Sequence, residues 1–213
     1  MRVEAETMTL YAVTDRAWAK KKTLMEQVEE ALEGGITFLQ LREKNLSQEE
    51  FIKEAKEMKE LAAKYKVPFV INDNIDVALA VDADGVHIGQ DDMSVEEARK
   101  LLGEDKIIGV SAHNVNEAMK AQKGGADYLG VGAVCATSTK KDANVVSKEE
   151  IKKIKEAVDI PIVAIGGIKK DNIHTLKGTG VDGVAVVSAI FAAEDIKETS
   201  KELLDTVKEM NQD

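Results

Sequence analysis

Residues 82–90 read DADGVHIGQ: small and acidic residues in a turn, then a short apolar run that ends in polar groups. The same cadence returns as GGITFLQLR (34–42), GGADYLGVG (124–132) and GTGVDGVAVVS (178–188), so one βα unit recurs along the chain. Working outward from these, eight strand-like runs emerge: LYAVTD (10–15), FLQLRE (38–43), FVIND (69–73), GVHIG (85–89), IIGVSA (107–112), YLGVGAV (128–134), IVAIGG (162–167) and GVAVVSAI (183–190). Most are apolar on successive residues rather than alternate ones, as parallel strands covered on both faces must be. Pro68 and Pro161, the only two prolines, each stand directly before one of these runs and punctuate its start.

The intervals carry helical spacing. Phe51, Ile52, Ala55, Met58, Leu61, Ala62 and Tyr65 form one apolar stripe with lysines and glutamates between them. Helix starts are marked by a hydroxyl residue with an acid three positions on, at Thr23/Glu26, Ser47/Glu50, Ser94/Glu97 and Ser147/Glu150, with Asn114/Glu117 a looser instance. Eight strands alternating with helical intervals, at about 27 residues per unit, predict an α/β fold: a (β/α)8 TIM barrel spanning residues 1–213 as a single domain. An open doubly wound sheet is the rival, but the first strand is not followed by a Gly-x-Gly-x-x-Gly turn.

Of the 213 residues, 44% are apolar and 32% charged, which excludes a disordered or collagen-like chain. A net charge of −10 argues against a general nucleic-acid binder while leaving room for a local basic pocket. A single cysteine, Cys135, rules out an intrachain disulfide and a multi-thiolate zinc site, and fits a reducing compartment. The first thirty residues hold no apolar signal core, and no stretch approaches the roughly 20 apolar residues a bilayer span needs. A cytoplasmic protein without membrane partners is the expectation. Composition does not fix an oligomeric state.

In such a barrel the chemistry gathers where strands end and βα loops begin. The runs deliver Thr14-Asp15-Arg16, Gln40-Leu41-Arg42-Glu43-Lys44, Asn72-Asp73-Asn74, Gln90-Asp91-Asp92, Ser111-Ala112-His113, Thr137-Ser138-Thr139-Lys140, Gly166-Gly167 and Val187-Ser188 to that rim. Arg42, Lys44 and Lys140 together suit a polyanion, the fork of Arg and the compact charge of Lys being complementary at phosphates. A lone lysine would ordinarily pair with a surface acid; three converging cations weigh against that. Asp73 and Asp92 would repel a polyanion unless a divalent cation stood between them, and magnesium takes such hard oxygen ligands. Asp73 or Asn74 reads equally well as the cap of a helix starting near Ile75. Gly166-Gly167 and Ser188 occupy the place where barrels often bind phosphate through loop amides and a short helix N-terminus. Two phosphate-competent regions point to two phosphorylated substrates.

These stretches resemble the thiamine-phosphate synthase family in YAVTDR (11–16), QLREK (40–44), IND (71–73), IGQDDM (88–93), GVSAHN (109–114), TSTK (137–140), VAIGGI (163–168) and VVSAIF (186–191). VAIGGI and VVSAIF are common to many phosphate-binding barrels; QLREK, IND and the acids of IGQDDM are specific. The resemblance implies joining of a hydroxymethylpyrimidine diphosphate to a carboxylated thiazole ethyl phosphate, with release of pyrophosphate and CO2. It further implies that Gln40, Leu41, Arg42, Glu43, Lys44, Asn72, Ser111 and Lys140 hold the pyrimidine diphosphate. Asp73 and Asp92 would bind Mg2+, and Thr137, Ser138, Thr139, Gly167, Val187 and Ser188 the thiazole phosphate.

The residues suit that chemistry: pyrophosphate leaving a benzylic-type carbon needs its charge neutralised, and no acid–base dyad. The segment from about Ala136 to Ser147 is long enough to close over the site and exclude water. Members of the family commonly carry proline and phenylalanine in place of Ala133 and Cys135. Cys135 is expected to be a small buried residue, His87 an ordinary strand residue, His174 a surface helix residue, and His113 a rim residue as readily structural as functional. Two alternatives remain. A thiazole tautomerase on the same barrel would need an acid–base residue and no diphosphate site. A non-catalytic sensor of phosphorylated ligands would bind without turnover.

Overall fold

The computed structural model describes residues 3–135 and 145–212, in which eight parallel strands close into a barrel with β8 paired back to β1. The strands are β1 (Leu10–Val13), β2 (Phe38–Leu41), β3 (Phe69–Asn72), β4 (Gly85–Ile88), β5 (Ile107–Ala112), β6 (Tyr128–Gly132), β7 (Ile162–Ile165) and β8 (Gly183–Val186). Around them lie α1 (Leu24–Glu33), α2 (Gln48–Lys64), α3 (Ile75–Ala80), α4 (Val95–Leu102), α5 (Val115–Gly124), α6 (Lys148–Ala157), α7 (Ser188–Phe191) and α8 (Ile196–Met210). None of the described helices is long and apolar enough to cross a membrane.

All five expected caps are present: Thr23, Ser47, Ser94, Asn114 and Ser147 each accept the N–H three residues on, and Thr23 and Ser47 complete the reciprocal box with Glu26 and Glu50. Three expectations are revised. The connection after β7 is a 3-10 turn, Ile173–Leu176, so His174 lies on that turn rather than on an α-helix. The apolar run 183–190 is two elements, because the chain turns at Val187 and coils into α7. Tyr65 caps α2 and is 36% exposed, so it does not join the buried stripe.

The period of two along each strand sorts the apolar residues into two cores. Leu39, Leu41, Ile71, Val86, Ile88, Ile108 and Val110 face outward against the helices. Tyr11, Phe38, Val70, Ile107, Tyr128 and Val163 fill the barrel interior, where Tyr11, Phe38 and Tyr128 meet edge to face.

At the base, the recurring turn acquires a physical reason. Thr37, Asp84, Asp127 and Asp182 each precede an even strand, and each makes two bonds to the first or second residue of the strand before. Their backbone N–H groups donate to the carbonyls of Leu10, Phe69, Ile108 and Ile162. Their side-chain oxygens accept the N–H groups of the same four residues at 2.7–2.9 Å. The self-similar sequence is a set of strand-start caps that satisfies four donors which the parallel ladder leaves over. Pro68 and Pro161 sit where only a carbonyl is needed, accepting from Leu39 and Leu129.

Candidate active site

Because the barrel is closed and parallel, every strand delivers its C-terminal residues to one mouth. Asp73 follows β3 and Asp92 lies in the loop after β4, with their carboxyl groups within hydrogen-bonding reach of each other. Asn72 donates to Asp73 at 2.5 Å, and the N–H of Gly89 donates to Asp92 at 2.7 Å. Partial burial of its carboxyl, then the charge of Asp92, push the Asp73 pKa from 3.8 up to about 6, with Lys44 pulling the other way. The cap question is settled by geometry: Asn74 accepts the Val77 N–H at 2.9 Å and opens α3, and Ser94 opens α4, which leaves both aspartates for the mouth. Asp73 also holds φ at 61°. Lys66 and Asp82 share that left-handed backbone, but each follows the end of a helix, where it is common, whereas Asp73 ends a strand. A non-glycine residue held there costs on the order of 1 kcal/mol, a strain that aims its side chain at Asp92.

The mouth is tied together strand by strand. Thr14 accepts the Arg42 N–H at 3.0 Å, and the Arg42 guanidinium is half-buried, 3.8 Å from Asp15. Gln90 donates to the Ser111 carbonyl at 2.6 Å. At β6 and β7 the N–H groups of Val134 and Cys135 bond to the carbonyls of Ile165 and Gly166. Gly166 and Gly167 have φ of 100° and 67°, and a Cβ on Gly166 would meet that of Ala133 at 2.6 Å, so the turn admits little else. Beneath the mouth, inside the barrel, polar side chains form an unbroken chain. Gln40 donates to the Tyr11 hydroxyl, which lies 2.7 Å from that of Tyr128. Tyr128 meets His87 Nδ1 at 3.0 Å, and His87 Nε2 meets the Ser111 hydroxyl at 3.0 Å.

Known proteins align with this arrangement throughout its length. The family model described as thiamine monophosphate synthase matches residues 10–190. The chain is 53% identical over 199 residues to a thiamine-phosphate synthase of Clostridium acetobutylicum, covering 93% of this chain and 94% of that protein. A thiamine-phosphate synthase of Methanobrevibacter smithii is 52% identical over 204 residues, covering 96% and 97%. The solved structure of thiamine phosphate pyrophosphorylase from Pyrococcus furiosus superposes with a TM-score of 0.89 at 44% identity, covering 97% of this chain and 98% of that one.

The chain belongs to the thiamine monophosphate synthase family.

Of the residues that resemblance to thiamine monophosphate synthases singled out, the structure brings Gln40, Arg42, Lys44, Asn72, Asp73, Asp92, Ser111, Gly167, Val187 and Ser188 to the mouth or the interior just beneath it. Two side chains are committed elsewhere. Leu41 points outward into the core between strands and helices, so only its backbone is on the site side. The Glu43 side chain is 3% exposed and pairs with Arg16, which Glu54 also engages. Burial raises the Glu43 pKa against the pull of Arg16. Thr137, Ser138, Thr139 and Lys140 lie outside the described residues, as does most of the segment expected to close over the site. Cys135 is half-buried rather than buried, and burial raises its thiol pKa. His113 is engaged by Glu117 at 2.8 Å at the start of α5, an end-of-helix contact.

Three members of this interior chain stand outside the residues that the sequence marks for the site: His87, by sequence an ordinary strand residue, and Tyr11 and Tyr128. The available signal was the alternation itself. His87 and Tyr128 stand at inward positions, and Gly109 and Gly130 leave the room for them: a Cβ on Gly109 would lie 2.0 Å from the Tyr128 ring, and one on Gly130 would lie 3.1 Å from the His87 ring.

Proposed function

We propose that this barrel, residues 1–213, is a cytoplasmic thiamine-phosphate synthase, a transferase that joins a hydroxymethylpyrimidine diphosphate to a carboxylated thiazole ethyl phosphate. The observation that carries the reading is the carboxyl pair of Asp73 and Asp92 at the mouth, on the side where Arg42 and Lys44 emerge. The donor set fits a hard divalent cation. Two carboxylates close enough to repel are poised for a charge between them, and no third acidic or histidine ligand gathers with them among the described residues. That leaves positions for water and diphosphate oxygens, which is how Mg2+ is usually held. When bound, Mg2+ would neutralise charge on the departing pyrophosphate.

The chain's own residues do the rest. Gln40 and Ser111 orient the pyrimidine, while Asn72, Arg42, Lys44 and Lys140 hold the diphosphate, the guanidinium offering two parallel donors. Gly167, Val187 and Ser188, with Thr137, Ser138 and Thr139, seat the thiazole phosphate, so that the thiazole nitrogen faces the carbon that loses pyrophosphate. The carbon–oxygen bond to pyrophosphate breaks with its electron pair leaving on the pyrophosphate, and the nitrogen–carbon bond forms. The carbon–carbon bond to the thiazole carboxylate then breaks to release CO2, and the electron pair left on the ring carbon takes up a proton from water. Holding the two substrates in contact supplies an effective concentration on the order of 10⁵ M or more. The test is to mix both substrates with purified protein and Mg2+ and follow pyrophosphate and thiamine phosphate together. Stoichiometric release that stops on chelation and resumes with added Mg2+ is expected. Proton exchange on the thiazole without any need for the diphosphate would instead make it a tautomerase, and saturable binding without product would make it a sensor.

A further inference from the structure

Gln40 and Ser111 stand on strands β2 and β5, yet the interior hydrogen bonds join them without a gap through Tyr11, Tyr128 and His87. This chain is built into the fold. Tyr11 and Tyr128 are about 1% exposed or less and His87 is 7% exposed, and the aromatic rings occupy space that Gly109 and Gly130 leave open. Each phenol carries one proton, and a neutral imidazole carries one proton on two nitrogens, so the order of donors along such a chain is all or nothing.

We propose that this chain sets the polarity of the pyrimidine subsite: it makes Gln40 an acceptor and Ser111 a donor toward the ligand, and so selects an aminopyrimidine over the corresponding oxopyrimidine. The proposal rests on the reading above that Gln40 and Ser111 hold the pyrimidine.

The order follows by elimination from one end. Gln40 gives an amide N–H to the Tyr11 hydroxyl, so its carbonyl oxygen is what it turns to a ligand. Tyr11 then gives its own proton to Tyr128, and Tyr128 gives its proton to His87 Nδ1. That leaves the His87 proton on Nε2, where it is donated to the Ser111 oxygen, and Ser111 is left with a hydroxyl proton to offer. Any break in this order would strand a buried donor or set two donors face to face. An amino group opposite Gln40 and an unprotonated ring nitrogen opposite Ser111 match this polarity at both contacts. An oxo group with a protonated ring nitrogen mismatches both, and accommodating it requires the Gln40 amide to turn over and every proton in the chain to reverse. Burial pushes both tyrosine pKa values up, which keeps the hydroxyls protonated as the relay requires. Tyr11, Tyr128 and His87 touch no substrate in this scheme; they are positioning residues.

The experiment compares the 4-amino- and 4-oxopyrimidine diphosphates as substrates and as ligands of wild type, Tyr128→Phe and Tyr11→Phe. Wild type is expected to favour the amino compound by about 10²-fold or more in kcat/KM, since a site built to hydrogen-bond rejects a ligand of wrong polarity. Cutting the chain in Tyr128→Phe frees the two ends to adapt separately, so the preference should narrow about tenfold, chiefly through KM. Tyr11→Phe should do the same and stands in if the first variant does not fold. Nitrogen NMR of His87 in the wild type needs no variant: the proton is expected on Nε2, both alone and with the aminopyrimidine bound. A preference unchanged in a folded variant that is equally weakened toward both compounds would overturn the proposal, as would a His87 proton on Nδ1. Wild type that binds neither diphosphate would instead overturn the functional reading on which the proposal rests.

Discussion

At the base of the barrel Asp84, Asp127 and Asp182 each hold the N–H of a neighbouring strand, and Arg99 and Lys155 further engage Asp127 and Asp182 at 2.6 and 2.8 Å. At the mouth Asp73 and Asp92 face each other, with one of them on a strained backbone and its pKa raised. The same side chain is used for closure at one end and for readiness at the other. What separates the two is the environment rather than the residue. The basal carboxylates are surrounded by donors belonging to the fold, whereas the pair at the mouth has, among the described residues, donors for only part of its oxygens and a like charge for a neighbour. Such an arrangement raises the free energy of the empty protein and falls into place only when an opposite charge arrives.

The sharpest way to break this contrast is at the mouth. Asp92→Ala is expected to lower thiamine phosphate formation by on the order of 10³-fold without lowering the melting temperature, since under the proposed function it removes a Mg2+ ligand and a repulsion together. A variant that loses both activity and stability would mean that Asp92 serves the fold as the basal aspartates do. Arg42→Lys comes next. It keeps the charge but loses the fork, and a drop of about tenfold or more in kcat/KM is expected if two diphosphate oxygens are held at once. An unchanged rate would reduce Arg42 to a point charge.

The base should give the reverse pattern. Asp182→Ala strips the Ile162 N–H and Lys155 of their acceptor and is expected to destabilise by about 2 kcal/mol, read by urea unfolding, while kcat/KM stays unchanged below the melting transition. Loss of activity at full stability would erase the distinction between the two ends.

The base was legible in the sequence because its devices are local. A turn and the strand that follows lie within about ten residues, so GGITFLQLR, DADGVHIGQ, GGADYLGVG and GTGVDGVAVVS already displayed the unit, and the capping pairs displayed the helices. That Thr37, Asp84, Asp127 and Asp182 reach back 15 to 27 residues to cap the strand before is seen only once the barrel closes. Half of the mouth was legible for another reason: Arg42, Asp73 and Asp92 end or follow strand-like runs, and a parallel barrel brings such positions together whatever their distance along the chain. The remainder depended on angles and on closure. That Glu43 turns to Arg16, that Asp73 takes a positive φ, and that β7 is followed by a single 3-10 turn are outcomes of packing that no spacing announces. The interior chain was hidden because Tyr11, Gln40, His87, Ser111 and Tyr128 come from five strands: Gln40 and Ser111 stood out only as ligand contacts, and Tyr11, His87 and Tyr128, each taken alone, are unremarkable residues in apolar runs.

The smallest effect gives the cleanest sign. In the metal-free protein, Asp73 has its pKa at about 6 when folded against an ordinary 3.8, so between those values the folded state binds more protons than the unfolded state. Its contribution to stability is therefore complete below about pH 4 and is lost as pH rises through 6. Asp82, at the base between Lys59 and Lys106, has its pKa lowered from 3.8 to about 2, chiefly by its hydrogen bond to Lys106 and then by that to Lys59. There the unfolded state binds more protons, and the contribution is present above about pH 4 and is lost as pH falls through 2. Urea unfolding at stepped pH should accordingly separate the two: Asp73→Asn flattens the decline between pH 4 and 6, and Asp82→Asn flattens the rise between pH 2 and 4. Asp73→Asn should also be the more stable protein at pH 7 without metal and the less stable one at saturating Mg2+, because only the wild type then gains the binding free energy. If Asp73→Asn proves less stable than wild type in the metal-free state, the two carboxylates at the mouth do not repel, and the contrast between the ends of the barrel fails at its physical root.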